Sequence, residues 1–418
     1  MTASLPAQAR ALLVLVLPCL LLAACAVLPA GDRAPRPSVL LVSLDGVHPD
    51  DLDPALTPTL SRLAREGVQA AWMTASYPTL TFPNHYTMVT GLRPDRHGIT
   101  HNTMHDEALG RFRLSDRDAV GDGRWWQQGE PAWVSAERAG LATATLFWPG
   151  SEAAVGGVRP QRWTAFDKDM SMAARVDTVL GWLAEPPATR PRLATLYFEH
   201  VDTAGHDHGP GSAQSRDALR RVDAALTRLV DGLAARGQRD RVDLVIVSDH
   251  GMAAVAPGNA IALEDMVPAE DASVVTGGQS LGFRPSPGRE AAAERALLGR
   301  HARYTCWRKG EVPAHWHYGS HPRIPPIVCQ MDEGWDAVPR RSLARRQTGG
   351  VRGSHGYAPE LPSMRSLFIA HGPSFRRGLQ LPPFDNVDVY PLLMRLLDLP
   401  PAPHDGGDAA LRALREAP

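Results

Sequence analysis

From Pro37 onward short apolar runs alternate with amphipathic stretches, and this rhythm restricts the chain to folds in which strands and crossover helices build a parallel sheet. Val39 to Leu44 is the first such run; Leu141 to Phe147, Leu193 to Phe198, Leu244 to Ser248 and Ser366 to Ala370 follow. Each is short, rich in Val, Ile, Leu, Thr or aromatic residues, and reads as a strand buried on both faces. Thr57-Pro58 opens a helix that Gly67 ends, because proline suits a first turn and glycine an exit. Ala173 to Leu183, Ala213 to Ala235 and Val387 to Leu397 carry apolar residues at three- and four-residue spacing, as helices covering a sheet do. The expected fold is therefore α/β, with a central, mostly parallel sheet flanked by helices.

The 418 residues, 44% of them hydrophobic, suffice for a large core. Lys+Arg is 44 against Asp+Glu 45, so no overall positive field exists to hold long nucleic acid, and small substrates are favoured. The stretch from about 254 to 350 breaks the rhythm, being rich in Pro, Gly and Arg, and reads as an inserted subdomain with small strands. Residues 38–418 are expected to form one catalytic domain carrying that insertion.

Residues 1–25 read as an address: Arg10 precedes the apolar run Ala11 to Leu22, too short for a convincing membrane span. Leu22-Ala23-Ala24-Cys25 resembles the end of a bacterial lipoprotein signal, which would leave Cys25 as the lipidated first residue and 26–37 as a linker. A plain secretory signal cut after a small residue is the alternative. Either way the chain is exported: lipid would hold it on a membrane face, while a plain signal would release it to a compartment such as the periplasm. Cys19 and Cys25 belong to this segment, which leaves Cys306 and Cys329 to pair in an oxidising compartment, or else to remain as two buried thiols.

Acids and histidines cluster just beyond the strand ends. Asp45 follows the first run, Asp202 and His206 follow Leu193 to Phe198, and Asp249 and His250 follow Leu244 to Ser248. Loops at the carboxyl ends of parallel strands share one sheet edge, so these residues converge. Carboxylates crowded together need cations, and with histidines among them divalent metal is the economical solution. His355 sits in Gly353-Ser354-His355-Gly356, where glycines let the backbone come close. Thr81, two residues before Pro83, falls near a helix N-terminus, where free amides attract phosphate; it reads either as a nucleophile or as a plain cap.

Taken in order, these motifs resemble the nucleotide pyrophosphatase/phosphodiesterases of the alkaline phosphatase superfamily. The anchors are Ser43-Leu44-Asp45-Gly46, Thr81-Phe82-Pro83-Asn84-His85-Tyr86, Val89-Thr90-Gly91-Leu92, Pro94, His97-Gly98-Ile99, Tyr197-Phe198-Glu199, Asp202, Gly205-His206, Ser248-Asp249-His250-Gly251-Met252 and Gly353-Ser354-His355-Gly356. The resemblance implies an alkaline-phosphatase-like sheet and two Zn²⁺ ions. Asp202, His206 and His355 would hold one, and Asp45, Asp249 and His250, with the hydroxyl of Thr81, the other. It also implies hydrolysis of phosphodiester or pyrophosphate bonds, in small nucleotides, through a phosphorylated Thr81. Asn102 would donate to a phosphate oxygen, and Phe82, Phe166 and Tyr197 would wall a base.

Two other readings stay open at this level. A phospholipase C-like relative would use the same metals on choline lysophospholipids, and would need an aromatic or acidic cage for the headgroup. A non-catalytic surface protein could instead store metal on His315, His317 and His321 near Cys306 and Cys329.

Overall fold

The computed structural model describes residues 36–416, so the signal, the linker up to residue 35 and Cys25 lie outside the described residues. Eight strands form the central sheet in the order Leu379–Leu381, Val68–Ala70, Phe368–His371, Val242–Val247, Ser38–Leu44, Leu193–Phe198, Thr143–Leu146, Arg162–Thr164. Ser38–Leu44 lies centrally, parallel to both neighbours. Its side chains alternate as a pleat requires: Val39 and Leu41 enter one apolar layer, and Leu40, Val42 and Leu44 the other. That two-sided burial is why the strand reads as a continuous apolar run.

Helices Pro58–Glu66, Met172–Leu183 and Ala213–Ala235 supply the layer under Leu40, while Thr81–Thr90, Ala132–Arg138 and Val389–Leu397 supply the other. Ser171 and Ser212 cap their helices, each hydroxyl accepting from the third amide onward at 3.2 and 3.1 Å. Thr57 makes no such bond. The cap of Pro58–Glu66 comes instead from the Asp223 carboxylate on another helix, which accepts from Thr59 N at 3.1 Å and Leu60 N at 2.8 Å.

Two expectations shift. The last expected strand starts at Phe368, not Ser366, and runs antiparallel to both neighbours. The run expected at Leu141 pairs only from Thr143 to Leu146, and Phe147 turns out of the sheet at φ 66°.

Within the 254–350 stretch, strands Ala272–Thr276, Ser280–Pro285, Ile327–Met331, Tyr304–Arg308 and Gly299–Arg300 form a separate antiparallel sheet. This sheet has its own apolar cluster around Phe283, Leu297 and Met331. Cys306 and Cys329 face each other across two of its strands and are bonded, Cα to Cα 4.0 Å. The chain leaves and re-enters through a two-stranded ribbon, Ala253–Val255 against Arg352–Ser354. Among the described residues no helix is long and apolar enough to cross a membrane.

Candidate active site

The three central strands Val242–Val247, Ser38–Leu44 and Leu193–Phe198 are parallel, so their carboxyl ends meet at one edge. Asp45 follows the middle strand, and Asp249 and His250 follow one neighbour. After the other, the helix His200–His208 presents Asp202 and His206 one turn apart. His355 arrives from the ribbon, and Gly353 beside it must stay small: a Cβ there would come within 2.5 Å of the Gly205 carbonyl.

Each of the three histidines has its tautomer set by the backbone. His206 Nδ1 lies 3.0 Å from the Gly353 carbonyl, His250 Nδ1 2.9 Å from that of Gly251 and His355 Nδ1 2.9 Å from that of Thr79. A carbonyl only accepts, so Nδ1 carries the proton and Nε2 keeps a lone pair for the site. The Nε2 atoms all face carboxylates. His206 and His355 lie 3.4 and 3.6 Å from Asp202 Oδ1, and His250 lies 3.0 Å from Asp249 Oδ2 and 3.5 Å from Asp45 Oδ1.

The carboxylates are electrostatically crowded. Burial, then repulsion from Asp249 and Asp202, pushes Asp45 well above the usual carboxylate range. Burial also raises Asp202, against the pull of His206. Asp249 goes the other way: burial opposes ionisation, but His250 and His85 outweigh it. Burial, with His250 and His206 alongside, holds His355 well below the usual imidazole value. Asp45 Oδ1, Asp202 Oδ1 and Asp249 Oδ2 are buried and accept no hydrogen bond. Such orphaned oxygens are costly unless a cation satisfies them.

The donor set fits divalent metal. Asp202, His206 and His355 bring their ligand atoms within 4.8 Å of one another; Asp45 belongs to two further sets of that kind, one with His85 and Asp249 and one with Asp202 and His250. His85 is not free to ligate, since Nδ1 lies 2.8 Å from the Thr81 carbonyl and Nε2 2.7 Å from Ser43 Oγ. It ties the first strand to the threonine instead, a task the sequence reading did not assign, although His85 lies within the same motif.

Thr81 is the first residue of its helix, with Leu80 in the cap position, so it is not the cap residue itself. Its Oγ1 lies 3.4 Å from His250 Nε2, beside the cluster. Asn102 Oδ1 accepts from Phe82 N at 2.9 Å, which turns the amide's NH₂ away from that bond and leaves it as a donor.

A cavity beside the cluster is lined by Asp45, Thr81, Phe82, Asn102, Phe166, Tyr197, Asp202, His206 and His355, and additionally by Arg117, Trp148, Glu152 and Glu199. Phe82, Phe166 and Tyr197, the three aromatic residues expected near the substrate, all line this cavity. Tyr197 does a second job, its hydroxyl donating to Asp45 Oδ2 at 2.5 Å. Glu152 is ion-paired with Arg117 and Glu199 with Arg175. By contrast, His315, His317 and His321 are not brought into any shared ligand set among the described residues, and His321 Nε2 is engaged by Gln128 Oε1 at 2.7 Å.

Comparison with known proteins agrees with this geometry. A family profile described as type I phosphodiesterase / nucleotide pyrophosphatase matches residues 39–358. An uncharacterized pyrophosphatase/phosphodiesterase of Schizosaccharomyces pombe is 35% identical over 90% of this chain and 80% of its own length. Ectonucleotide pyrophosphatase/phosphodiesterase family member 3 of Bos taurus is 34% identical over 91% of this chain, which spans only 44% of that relative. Among solved structures, an inactive Thr-to-Ala variant of murine ectonucleotide pyrophosphatase / phosphodiesterase 5 in complex with AMP superimposes with a TM-score of 0.85. It shares 32% identity, with 91% of this chain and 100% of that one covered. With the profile spanning most of the chain and the fold shared over nearly its whole length, the protein belongs to the type I phosphodiesterase / nucleotide pyrophosphatase family.

Proposed function

We propose that the chain hydrolyses phosphodiester or pyrophosphate bonds in small nucleotides, with two zinc ions and Thr81 as nucleophile. One observation carries this reading: three buried carboxylate oxygens without hydrogen bonds face three imidazole Nε2 atoms beside a threonine hydroxyl. Asp202, His206 and His355 would hold one ion, and Asp45, Asp249, His250 and Thr81 the other. Bound there, zinc would lower the pKa of the hydroxyl and offset charge on the phosphate oxygens. Thr81 Oγ1 forms a bond to phosphorus as the bond to the leaving alcohol or nucleotide breaks. Asn102 donates its amide to a non-bridging oxygen, and water then cleaves the phosphothreonine to restore Thr81. Phe82, Phe166 and Tyr197 present flat faces that suit a base without selecting which one.

The AMP bound by the murine relative supports a nucleotide substrate. Of the two kinds of cage a cationic choline headgroup could use, the acidic one is spent, because Glu152 and Glu199, the acids lining the cavity away from the cluster, are each already paired with arginine, and the ring faces that remain serve a base equally. Relatives named as ectonucleotide and venom enzymes support export, in line with the signal-like residues 1–25 and a Cys25 lipid anchor. Turnover of the zinc-loaded protein on a dinucleotide diester, a nucleotide monoester and lysophosphatidylcholine tests the reading. The diester should lead; preference for the lysolipid would reverse the substrate assignment.

A further inference from the structure

Phe166 reaches the cavity from an exposed loop, 37% accessible, and a ring in that position can act as a wall only if the loop is anchored. Its backbone N–H donates to Glu152 Oε1 at 3.0 Å. The rest of the anchoring comes from Arg175, a fully buried side chain on the Met172–Leu183 helix. Its Nε donates to the Met170 carbonyl at 3.0 Å, its Nη2 to that of Asp167 at 3.4 Å and its Nη1 to that of Tyr197 at 3.0 Å. The same fork meets Glu199 with two bonds of 2.5 and 2.9 Å and lies 4.9 Å from the Phe147 ring centroid. Phe147 in turn meets Phe166 edge-on at 5.4 Å, and Phe166 meets Tyr197 at 6.1 Å.

A desolvated guanidinium is a poor device for stability alone, since apolar residues of similar volume often do as well or better. What this one does is geometric. Its contacts fall on three of the segments that carry rings at the cavity, the turn with Phe147, the loop with Phe166 and the strand end with Tyr197, which together make the wall opposite Phe82's helix. We propose that Arg175 is a positioning residue that fixes the aromatic wall and thereby sets discrimination in favour of a base-bearing substituent. The identity of the substituent rests on the nucleotide reading above; the dependence of the loop on Arg175 does not.

Arg175→Lys keeps the charge opposite Glu199 but cannot span that carboxylate and three carbonyls at once. Two substrates with the same leaving group separate the effects: the p-nitrophenyl ester of thymidine 5′-phosphate and methyl p-nitrophenyl phosphate. The ratio of their kcat/KM values should fall about tenfold in the variant, mainly through KM of the nucleoside ester, as loss of one base–aromatic stack would give. In a Phe166→Ala background the same substitution should move the ratio by less than about twofold, because the ring through which Arg175 acts is gone. Fully additive losses, or equal falls on both substrates, would overturn the proposal.

Loop anchoring has its own readout. Lys168 lies on this loop and Lys309 is the wild type's only other lysine, so lysine-specific proteolysis reports release of the loop once mass spectrometry separates the peptide ending at Lys168 from one ending at the lysine that Arg175→Lys introduces. Cleavage after Lys168 should be faster in the variant; equal rates refute the proposal. Should Arg175→Lys not fold, Glu199→Gln, which weakens the fork's partner at constant shape, replaces it in every arm. A wild-type ratio near one would refute the nucleotide reading, and the proteolysis would then decide the role of Arg175.

Discussion

Two buried polar clusters in this protein are built on opposite principles. At the sheet edge, Asp45, Asp202 and Asp249 present oxygens that nothing in the fold satisfies. Where the segment Gly319–Arg323 meets the main body, every charge has a protein partner. Arg323, 4% exposed, donates to Asp106 at 2.8 Å and to the carbonyls of Gly98 and Trp125 at 2.8 and 2.9 Å, and its guanidinium lies 4.8 Å from the Trp125 ring centroid. Asp95 Oδ1 accepts from the amides of Gly319, Ser320 and His321 at 3.0, 2.9 and 2.9 Å. Both clusters look alike as a list of acids and bases. The contrast teaches that satisfaction separates them: closed hydrogen-bond accounts mark architecture, and open ones mark a place kept for a ligand.

The sharpest way to break this contrast is Thr81→Ala. Phosphodiester turnover should drop by on the order of 10⁴-fold, as loss of a nucleophile does, while zinc measured by mass spectrometry stays near the wild-type level. Retained turnover would end the threonine mechanism. Arg323→Met should do the converse, costing about 1–3 kcal/mol of stability by taking the donor from the buried carbonyls of Gly98 and Trp125, with zinc content held. Denaturant titration with parallel metal analysis checks this. Removing zinc with a chelator should abolish activity and lower stability by about 5 kcal/mol, about 2.7 kcal/mol for each of the two sites, relative to zinc supplied at a hundred times its dissociation constant. If melting is indifferent to chelator, the orphaned oxygens have some other purpose.

Acid should weaken the packing around three buried histidines, of which His321 belongs to the closed cluster. His97, His101 and His321 each use Nδ1 to accept from a backbone amide two residues on, at 3.1, 3.0 and 3.1 Å, and burial lowers them to about 3, 4 and 4. Below about pH 6.5 the unfolded chain binds these protons and the folded chain does not. The stability they represent is thus present above that pH and lost as pH falls towards about 4. Calorimetry of the chelated protein from pH 7 to 4.5 should show this decline, and a flat profile would contradict it. The smallest expected effect is that of Tyr197→Phe, which keeps the wall but removes the hydroxyl on Asp45. Zinc affinity by calorimetric titration should weaken by about 1 kcal/mol, and no change would leave the hydroxyl without a role.

Much of the frame was readable because it is buried on both sides. Val39 to Leu44 and Leu193 to Phe198 had to be apolar throughout, and parallel packing then forced the acids after them to meet. The short strands Val68–Ala70 and Leu379–Leu381 were not legible, since three residues carry no period. Nor was the reversed direction of Phe368–His371, because a short apolar run looks the same either way. In the site, the clustered acids and histidines stood out through their order along the chain. His85 and Arg175 did not, because their meaning lies in partners far away: Ser43 is 42 residues from the first, and Glu199 is 24 from the second.

The ribbon of Ala253–Val255 and Arg352–Ser354 has a consequence for how such proteins diversify. It clasps both ends of a long excursion directly behind His250 and His355, and Gly353 seats it against Gly205 without room to shift. Whatever hangs beyond that clasp can lengthen at little entropic penalty, since closing a loop grows harder only logarithmically with its size. Evolution is thereby free to rewrite the excursion, and with it what the protein meets outside, while the reacting groups keep their places.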